Sequence, residues 1–98
     1  MTQSVGVVGC GAIGQALLRA ADSGNLNVPI AGVTSRDTRR AREFLGSLDS
    51  PPPYLDRQDL IQRSDLVVET AGGHIVPDLA KDTFASGKDL MVISIGAL

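Results

Sequence analysis

The chain has few of the residues that commonly build disulfides or metal sites. Its 98 residues include one cysteine, one histidine and no tryptophan. One cysteine cannot form an internal disulfide, and it cannot supply the four sulfur ligands of a structural metal site. The sequence therefore argues against a disulfide-stabilised fold and predicts no metal site, and we expect a protein of the reducing cytoplasm.

Two further shortages narrow the class of protein. Basic residues are not in excess, because 9 Lys and Arg stand against 11 Asp and Glu, for a net charge of -2. A dedicated nucleic-acid-binding domain normally carries a basic surplus. No apolar run approaches the roughly 20 residues of a membrane span, and residues 1–4 lack the pattern of a signal peptide. We therefore expect neither nucleic acid nor a membrane among the partners.

Glycine, in contrast, is abundant, with 11 residues beside two phenylalanines and one tyrosine. Short apolar runs alternate along the chain with segments of helical periodicity. The predicted strands are residues 5–9, 28–33, 66–70 and 90–95, with a weak additional strand around residues 54–55. The predicted helices are residues 12–21, 38–45, 56–63 and 74–86. Three consecutive prolines make residues 47–53 a loop, because proline donates no backbone hydrogen bond.

This alternation predicts the fold class. Strands that are apolar on both faces and separated by helices indicate a parallel sheet that is covered on both sides. We therefore predict an α/β fold, a Rossmann-type doubly wound sheet of about five strands, as one domain over residues 1–98. The first helix is predicted to bury one apolar stripe, made up of Ala12, Ile13, Ala16, Leu17, Ala20 and Ala21.

The most specific short motif is a GxGxxG sequence between the first strand and the first helix. Gly9 allows a tight turn, Gly11 lets the backbone approach a pyrophosphate, and Gly14 permits close packing of the helix on the strand. The amides and the dipole at the start of the helix then favour phosphate. The motif predicts a dinucleotide site at Gly9, Gly11 and Gly14 and at the start of the helix, against the alternative of a glycine turn without a ligand.

The end of the second strand bears on the choice between NAD and NADP. NAD-binding domains usually place an acid about 20 residues beyond the glycines, where it binds the adenosine ribose. Here Ser35 occupies that position and Arg36 follows it, a pair suited to the 2′-phosphate of NADP. A shift of one position would make Asp37 the ribose ligand and favour NAD. That alternative weakens if Asp37 caps the second helix.

Three more arginines lie in this predicted helix, at positions 39, 40 and 42. Cations in a first helical turn oppose the helix dipole by about 0.3–1 kcal/mol each, and an anionic ligand would remove the conflict. Arg39 or Arg40 is therefore a candidate helper in phosphate binding. The alternative is a solvated face on which Arg39 pairs with Glu43, four residues further on.

A second small-residue loop, residues 70–74, follows the strand at residues 66–70 and lies at the edge of the sheet where ligands bind. His74 is a candidate for proton transfer, but it more simply occupies the start of a helix. Glu69 is interpreted as a structural hydrogen-bond acceptor. Cys10 is interpreted as a small filler beside the phosphate loop, since nothing identifies a base that would activate it.

Three segments together resemble the amino-terminal half of the L-aspartate dehydrogenases. They are the glycine motif at residues 9–14, the segment DLVVETAG at residues 65–72 and, most specifically, GKDLMVISIGAL at residues 87–98. The resemblance covers nearly the whole chain apart from residues 47–56. The family usually has an acid after the second strand, so Ser35 departs from its pattern and argues against strict NAD preference.

The resemblance implies a Rossmann domain that binds NADP or NAD, followed by a second domain that binds L-aspartate, carries the catalytic histidine and makes most of a homodimer contact. It implies hydride transfer between the aspartate α-carbon and nicotinamide, giving iminosuccinate, which yields oxaloacetate and ammonia or enters NAD biosynthesis. It also implies that the pyrophosphate is held by Gly9, Gly11, Ala12, Ile13 and Gly14. Ala71, Gly72 and Gly73 would then border the nicotinamide ribose, and Ser94, Gly96 and Ala97 would flank the nicotinamide. His74 does not match the catalytic histidine of the family.

We accordingly expect the chain to be a truncated enzyme that binds dinucleotide weakly and turns over little by itself, and we assign no catalytic residue within it. One alternative is a stand-alone nucleotide-sensing module. Another is the first domain of a different oxidoreductase, such as a homoserine dehydrogenase, a dihydrodipicolinate reductase or a sugar oxidoreductase. Fold similarity alone does not separate these enzymes.

Overall fold

Four parallel strands form the sheet in the computed structural model, which describes residues 3–94 of the chain. The strands are β1 Val5–Val8, β2 Ile30–Thr34, β3 Leu66–Glu69 and β4 Asp89–Val92. They lie in the order β2-β1-β3-β4, and each neighbouring pair is parallel. The predicted Rossmann-type α/β fold is confirmed.

Four α-helices connect and cover these strands. They are α1 Ala12–Asp22, α2 Thr38–Leu45, α3 Arg57–Arg63 and α4 Val76–Ala85, with a 3-10 turn at Gly73–Ile75 directly before α4. Asp37 caps α2 and Asp56 caps α3, each by accepting a hydrogen bond from an amide three residues on. Among the helices described, none is both long enough and apolar enough to cross a membrane.

The core is divided between the two faces of the sheet. On one face, α1 and α2 cover the strands, and the buried cluster contains Val5, Val7, Leu18, Val33, Phe44, Leu45 and Val68. On the other face, α3 and α4 cover the strands, and the cluster contains Val8, Leu60, Ile61, Val67 and Leu79. Because successive side chains of a strand point to opposite faces of the sheet, the two inner strands β1 and β3 each contribute to both clusters.

The predicted additional strand at residues 54–55 is wrong, and the described sheet has four strands rather than five. Tyr54 makes only an isolated parallel bridge with Val33. The carbonyl of Pro53 accepts from the amide of Val33 at 3.0 Å, and the amide of Leu55 donates to the carbonyl of Val33 at 2.8 Å. The three prolines before Tyr54 have no amide hydrogen to extend this pairing into a ladder.

The predicted apolar stripe of α1 is confirmed only in part, because Leu17 packs against the core but the first half of the stripe is exposed. Gly14 and Leu18 are the buried residues of this helix, whereas Ala12, Ile13 and Ala16 are exposed. Leu18 lies four residues after Gly14, on the same face of the helix. The closest approach to the sheet is therefore made at a residue without a side chain, and the hydrophobic pattern does not reveal it.

The order of the strands creates a crevice at their carboxyl ends. The chain passes from β1 to β2 on one side, and β3 then pairs with β1 on the other side. Ligands of doubly wound sheets bind outside the carboxyl ends of the strands at the point where the strand order reverses. In this molecule that point lies between β1 and β3.

Gly6, inside β1, allows a test of how closely β1 packs against α3. A Cβ atom at Gly6 would lie 2.6 Å from Cδ2 of Leu60 and closer still to the hydroxyl of Ser64, and both of those residues are fully buried. We expect Gly6→Ala to lower the free energy of unfolding by about 1–3 kcal/mol through overpacking, measured by urea denaturation.

Gly46→Ala is the matched control. At Gly46 the nearest atoms to an added Cβ lie 3.5 Å away and the backbone φ is -64°, so alanine fits without strain. Equal urea midpoints for the two variants would contradict the packing described for β1 and α3.

Candidate functional site

A cleft of about 310 Å³ opens at the carboxyl ends of β1, β2 and β3. It lies at the point where the strand order reverses. The residues that line it come from the glycine turn, the start of α2 and the loop after β3. They are Gly9, Cys10, Gly11, Ser35, Arg36, Asp37, Arg40, Thr70, Ala71, His74 and Ile75.

Gly9 and Gly14 make the floor of this cleft possible. Gly9 has a φ of +105°, which residues with a side chain rarely adopt. A Cβ at Gly9 would lie 2.7 Å from the hydroxyl of Thr70, and one at Gly14 would collide with the carbonyl of Gly9. The turn therefore packs directly against the loop after β3. At Gly11, in contrast, no atom lies within 4 Å of an added Cβ, and the backbone faces open space.

The first turn of α1 presents unpaired amides at the same place. Gly11 is the N-cap, no side chain caps the helix, and no acidic residue lies in its first turn. The amides of the first turn have no acceptor within the helix, and Ala12 and Ile13 at this end are exposed. The amide of Gln15 and its side chain bind the carbonyls of Gly11 and Cys10, at 2.8 and 3.1 Å. These bonds order a turn that is open to an anion.

Ser35 and Arg36 form the wall of the cleft at the end of β2. The half-buried Ser35 is held by the side chain of Tyr54, whose hydroxyl donates to the carbonyl of Ser35 at 2.7 Å. The guanidinium of Arg36 lies 3.3 Å from Nε2 of His74, which belongs to the opposite wall. Because guanidinium is only a donor, the His74 nitrogen is the acceptor in this bond. The contact links the two walls.

The acidic residue beside this wall already has a structural partner. Oδ1 of Asp37 accepts from the amide of Arg40 at 3.1 Å and so caps α2. Because Asp37 caps the helix, it is a weaker candidate for a ribose ligand. The geometry therefore favours Ser35 and Arg36 over Asp37 as the residues that contact the adenosine ribose or its 2′-phosphate.

The three arginines of α2 have separate surroundings. Arg39 pairs with Glu43 at 3.3 Å, with 89% and 66% of the two side chains exposed, which confirms the solvated alternative for Arg39. Arg42 lies over the ring of Tyr54, 5.3 Å from its centre. Only Arg40 of these three lines the cleft, where it adds a second positive charge to that of Arg36.

Glu69 organises the wall at the end of β3. Its side chain is fully buried and accepts from the amide of Gly72 at 2.7 Å, from the amide of Ser94 at 3.3 Å and from the Ser94 hydroxyl. Burial acts to raise the pKa of Glu69, but the hydrogen bonds from Ser94, Gly72 and Ala71 outweigh it and lower the pKa below its ordinary value. Glu69 is thus a structural acceptor, as predicted.

Thr70 completes the same loop, because its hydroxyl lies 3.0 Å from the carbonyl of Val8 and 3.3 Å from that of Gly9. Cys10 provides no activated nucleophile on this surface. Burial raises the pKa of its thiol above the usual value, and the positive charge of Arg40 offsets part of the increase. Within residues 3–94, no three His, Cys, Asp or Glu side chains lie together in a way that could hold a metal ion.

The structure brings together part of the predicted site. Gly9, Gly11, Ser35, Arg36 and Ala71 line one cleft. The other described candidates, Ala12, Ile13, Gly14, Gly72 and Gly73, are their neighbours in the chain without lining it. The amide and the hydroxyl of Ser94 both donate to Glu69. Its role beside nicotinamide remains a prediction. Gly96 and Ala97 lie outside the described residues.

Sequence reasoning did not predict the contact of His74 with Arg36 or the hold of Tyr54 on Ser35. The partners in these contacts are 38 and 19 residues apart. The only available signal was positional, since His74 follows a strand whose carboxyl end is next to that of β1 in a parallel sheet.

A larger cleft of about 490 Å³ lies at the opposite edge of the sheet, between the end of α1 and residues 50–53. Its carboxylate, Asp22, already accepts from the amides of Asp49 and Ser50, at 3.0 and 2.8 Å. No positive side chain lines it. The chemistry of dinucleotide binding therefore favours the smaller cleft, where cations and free amides meet.

The sequence has clear relatives. Residues 9–98 match the family described as homoserine dehydrogenase, NAD binding domain, which agrees with the predicted NAD or NADP cofactor. The chain is 36% identical to the L-aspartate dehydrogenase of Methanocella arvoryzae and 39% identical to that of Methanothermobacter thermautotrophicus. Each match covers 96% of this chain but only 35% and 36% of those enzymes. The chain thus spans about a third of the length of the curated relatives it matches, and the predicted resemblance is confirmed.

Solved structures agree on the fold. The myo-inositol dehydrogenase of Lactobacillus casei, in complex with NAD(H) and myo-inositol, superposes with a TM-score of 0.78 at 22% identity, over 94% of this chain and 28% of that one. A homoserine dehydrogenase of Thiobacillus denitrificans superposes with a TM-score of 0.77 at 19% identity, over 99% of this chain and 24% of that one. At these identities the likeness is one of fold alone.

The hydrogen bonds of Glu69 generate a test of the loop geometry. Because its pKa in the folded state lies below the ordinary value of 4.5, its carboxylate stabilises the fold above that pH, and this contribution is lost as the pH falls through the folded-state pKa. We expect Glu69→Gln to lower the free energy of unfolding at pH 7 by about 1–3 kcal/mol, because donors in the loop lose a charged acceptor.

Urea denaturation at pH 7 and pH 3.5 measures the effect, and the difference between wild type and variant is expected to shrink at the lower pH. Glu43→Gln is the control, since its exposed pair with Arg39 contributes about 0–1 kcal/mol. A difference for Glu69→Gln that is the same at both pH values would contradict the structural role of the carboxylate.

Proposed function

The chain belongs to the family of the homoserine dehydrogenase NAD-binding domain, and we propose that it is the dinucleotide-binding domain of an NAD(P)-dependent L-aspartate dehydrogenase. The observation that carries this proposal is the cleft at the carboxyl ends of β1, β2 and β3, in which an open glycine turn faces two arginines. The sequence relatives named L-aspartate dehydrogenase favour aspartate among the substrates of such domains.

In the proposed binding mode, the amides around Gly11, Ala12, Ile13 and Gly14 hold the pyrophosphate. Support comes from the uncapped start of α1 and the open space over Gly11. Ala71, Gly72 and Gly73 are proposed to border the nicotinamide ribose, with Ser94, Gly96 and Ala97 near the nicotinamide. The bound cofactor would supply hydride transfer, and the role of these residues is to hold and orient it.

In the proposed reaction, L-aspartate would lose its α-hydrogen as hydride to the nicotinamide and one proton to solvent, which would leave protonated iminosuccinate. Addition of water to the imine gives oxaloacetate and ammonia, while unhydrolysed iminosuccinate would serve NAD biosynthesis. The relatives are nearly three times as long as this chain. We therefore propose that a further domain binds aspartate, carries the acid–base group and pairs two subunits, and that these 98 residues alone bind dinucleotide but turn over little.

The charges at the end of β2 support NADP as a cofactor at least as good as NAD. A 2′-phosphate needs cationic or hydroxyl donors, and Ser35, Arg36 and Arg40 lie along this wall. Asp37, the one carboxylate in the cleft lining, is committed to the cap of α2. A ribose diol would gain less from the two arginines than a phosphate, because it carries no charge.

The experiment measures the dissociation constants of NADP and NAD for wild type and for Arg36→Ala by isothermal titration calorimetry. We expect NADP to bind wild type at least as tightly as NAD. Loss of one exposed charge-assisted contact is expected to weaken NADP binding about tenfold and NAD binding less than twofold.

Arg39→Ala is the matched control, because Arg39 pairs with Glu43 in solvent and does not line the cleft. It removes the same charge three residues further along the chain, in the first turn of α2, and is expected to change both affinities less than twofold. An unchanged NADP affinity in Arg36→Ala would overturn the assignment of the 2′-phosphate site. Absence of binding of either dinucleotide to wild type would overturn the proposed function.

A further inference from the structure

Tyr54, the one tyrosine of the chain, holds both polar backbone groups of Ser35. Its hydroxyl donates to the carbonyl of Ser35 at 2.7 Å and accepts from the amide of Ser35 at 3.2 Å. The hydroxyl of Thr38 lies 3.0 Å from the same oxygen. Since the single phenolic hydrogen is given to Ser35, Thr38 is the donor in that contact. The phenol thus has one donated and two accepted bonds and is saturated.

The surroundings of Tyr54 change the pKa of its phenol. Burial acts to raise the pKa of the phenol, but the polar groups of Thr38, Ser35 and Thr34 and the charge of Arg42 outweigh burial and lower the pKa below its usual value. The guanidinium of Arg42 also lies over the ring, 5.3 Å from its centre. The side chain is therefore fixed at its face and at its hydroxyl.

The backbone of Tyr54 is fixed as well. The flanking bonds between Val33 and residues 53 and 55 hold it beside β2, at 3.0 and 2.8 Å. Gly32 permits this approach, because a Cβ there would lie 2.8 Å from Cγ of Leu55. The loop of residues 47–56 therefore reaches the end of β2 and fixes the conformation of Ser35.

We infer that Tyr54 is a positioning residue that determines how well the cleft distinguishes NADP from NAD. The inference rests on the proposed function, in which Ser35 and Arg36 bind the 2′-phosphate. Tyr54 does not line the cleft, and its saturated hydroxyl has no hydrogen left for a ligand. It acts by orienting the peptide of Ser35, from which the serine hydroxyl and the Arg36 backbone both continue.

The consequence differs for the two dinucleotides. Without the phenolic oxygen, the carbonyl and the amide of Ser35 lose their shared partner, and the turn from Ser35 to Arg36 is free to adopt other conformations. NADP gains its additional contacts at this turn, so its binding depends on the turn being ordered before the ligand arrives. The pyrophosphate contacts at Gly11 are common to NADP and NAD and do not involve Tyr54.

The test is the ratio of NADP to NAD affinity in Tyr54→Phe, measured by calorimetry with the full 98-residue chain. We expect NADP binding to weaken at least fivefold and NAD binding less than twofold. Ser47→Ala is the matched control, because it also removes a hydroxyl that donates to a backbone carbonyl, that of Phe44 at 2.6 Å, outside the cleft. It is expected to leave the ratio unchanged.

A double variant separates positioning from general damage. If Tyr54 acts through the Ser35–Arg36 turn, Tyr54→Phe is expected to weaken NADP binding less than twofold when Arg36→Ala is already present. If circular dichroism shows that Tyr54→Phe does not fold, Thr38→Val is the second variant. It removes one hydrogen bond to the phenol and is expected to lower the ratio of NADP to NAD affinity by a smaller factor.

The outcomes are distinguishable from a failure of the proposed function. Wild type that binds neither dinucleotide would contradict the proposed function. Wild type that binds both, together with a folded Tyr54→Phe variant whose affinity ratio is unchanged, would overturn the role of Tyr54 alone. An equal loss of NADP and NAD affinity would also overturn it, because this is the result expected from a merely structural residue.

Discussion

Gly14 of α1 lies directly against the carbonyl of Gly9, with the hydroxyl of Thr70 beside both. Any side chain at Gly9 or Gly14 would separate the helix from the turn. This close approach determines where α1 begins and therefore where its free amides are presented. It also joins the turn after β1, proposed to hold the pyrophosphate, to the loop after β3, proposed to border the nicotinamide ribose, so the two are packed as one unit. The site depends on this contact before any charged residue contributes to it.

The two arginines of the cleft, Arg36 and Arg40, lie on a surface that other side chains hold in place. Glu69 collects donors from the loop after β3 and from Ser94, and Tyr54 collects both polar groups of Ser35. In each case one buried or half-buried side chain satisfies several backbone groups, which reduces the freedom of a loop that would otherwise have to be ordered on binding. The positive side chains Arg36 and Arg40 are left to face the cleft.

Local chemistry was predictable from the sequence where it depends on neighbouring residues. The glycine turn and the cap at Asp37 each follow from a few adjacent positions, and both are present in the structure. The face of α1 was not predictable from hydrophobicity, because the closest contact is made at Gly14, which has no side chain. The strand predicted at residues 54–55 failed for a local reason that had been visible, since three prolines cannot support a ladder. The hold of Tyr54 on Ser35 was not predictable, because it depends on the path of a loop whose composition predicts no single conformation.

We propose above all that the dinucleotide lies across the Gly9–Gly14 turn and the wall formed by Ser35 and Arg36. The most direct measurement is the change in backbone amide chemical shifts of ¹⁵N-labelled protein as NADP is added. We expect the largest changes at Gly11, Ile13 and Gly14 and in the turn at Ser35 and Arg36, with little change at Asp49 and Ser50 beside the larger cleft. Changes concentrated at Asp49 and Ser50, with the glycine turn unaffected, would contradict it.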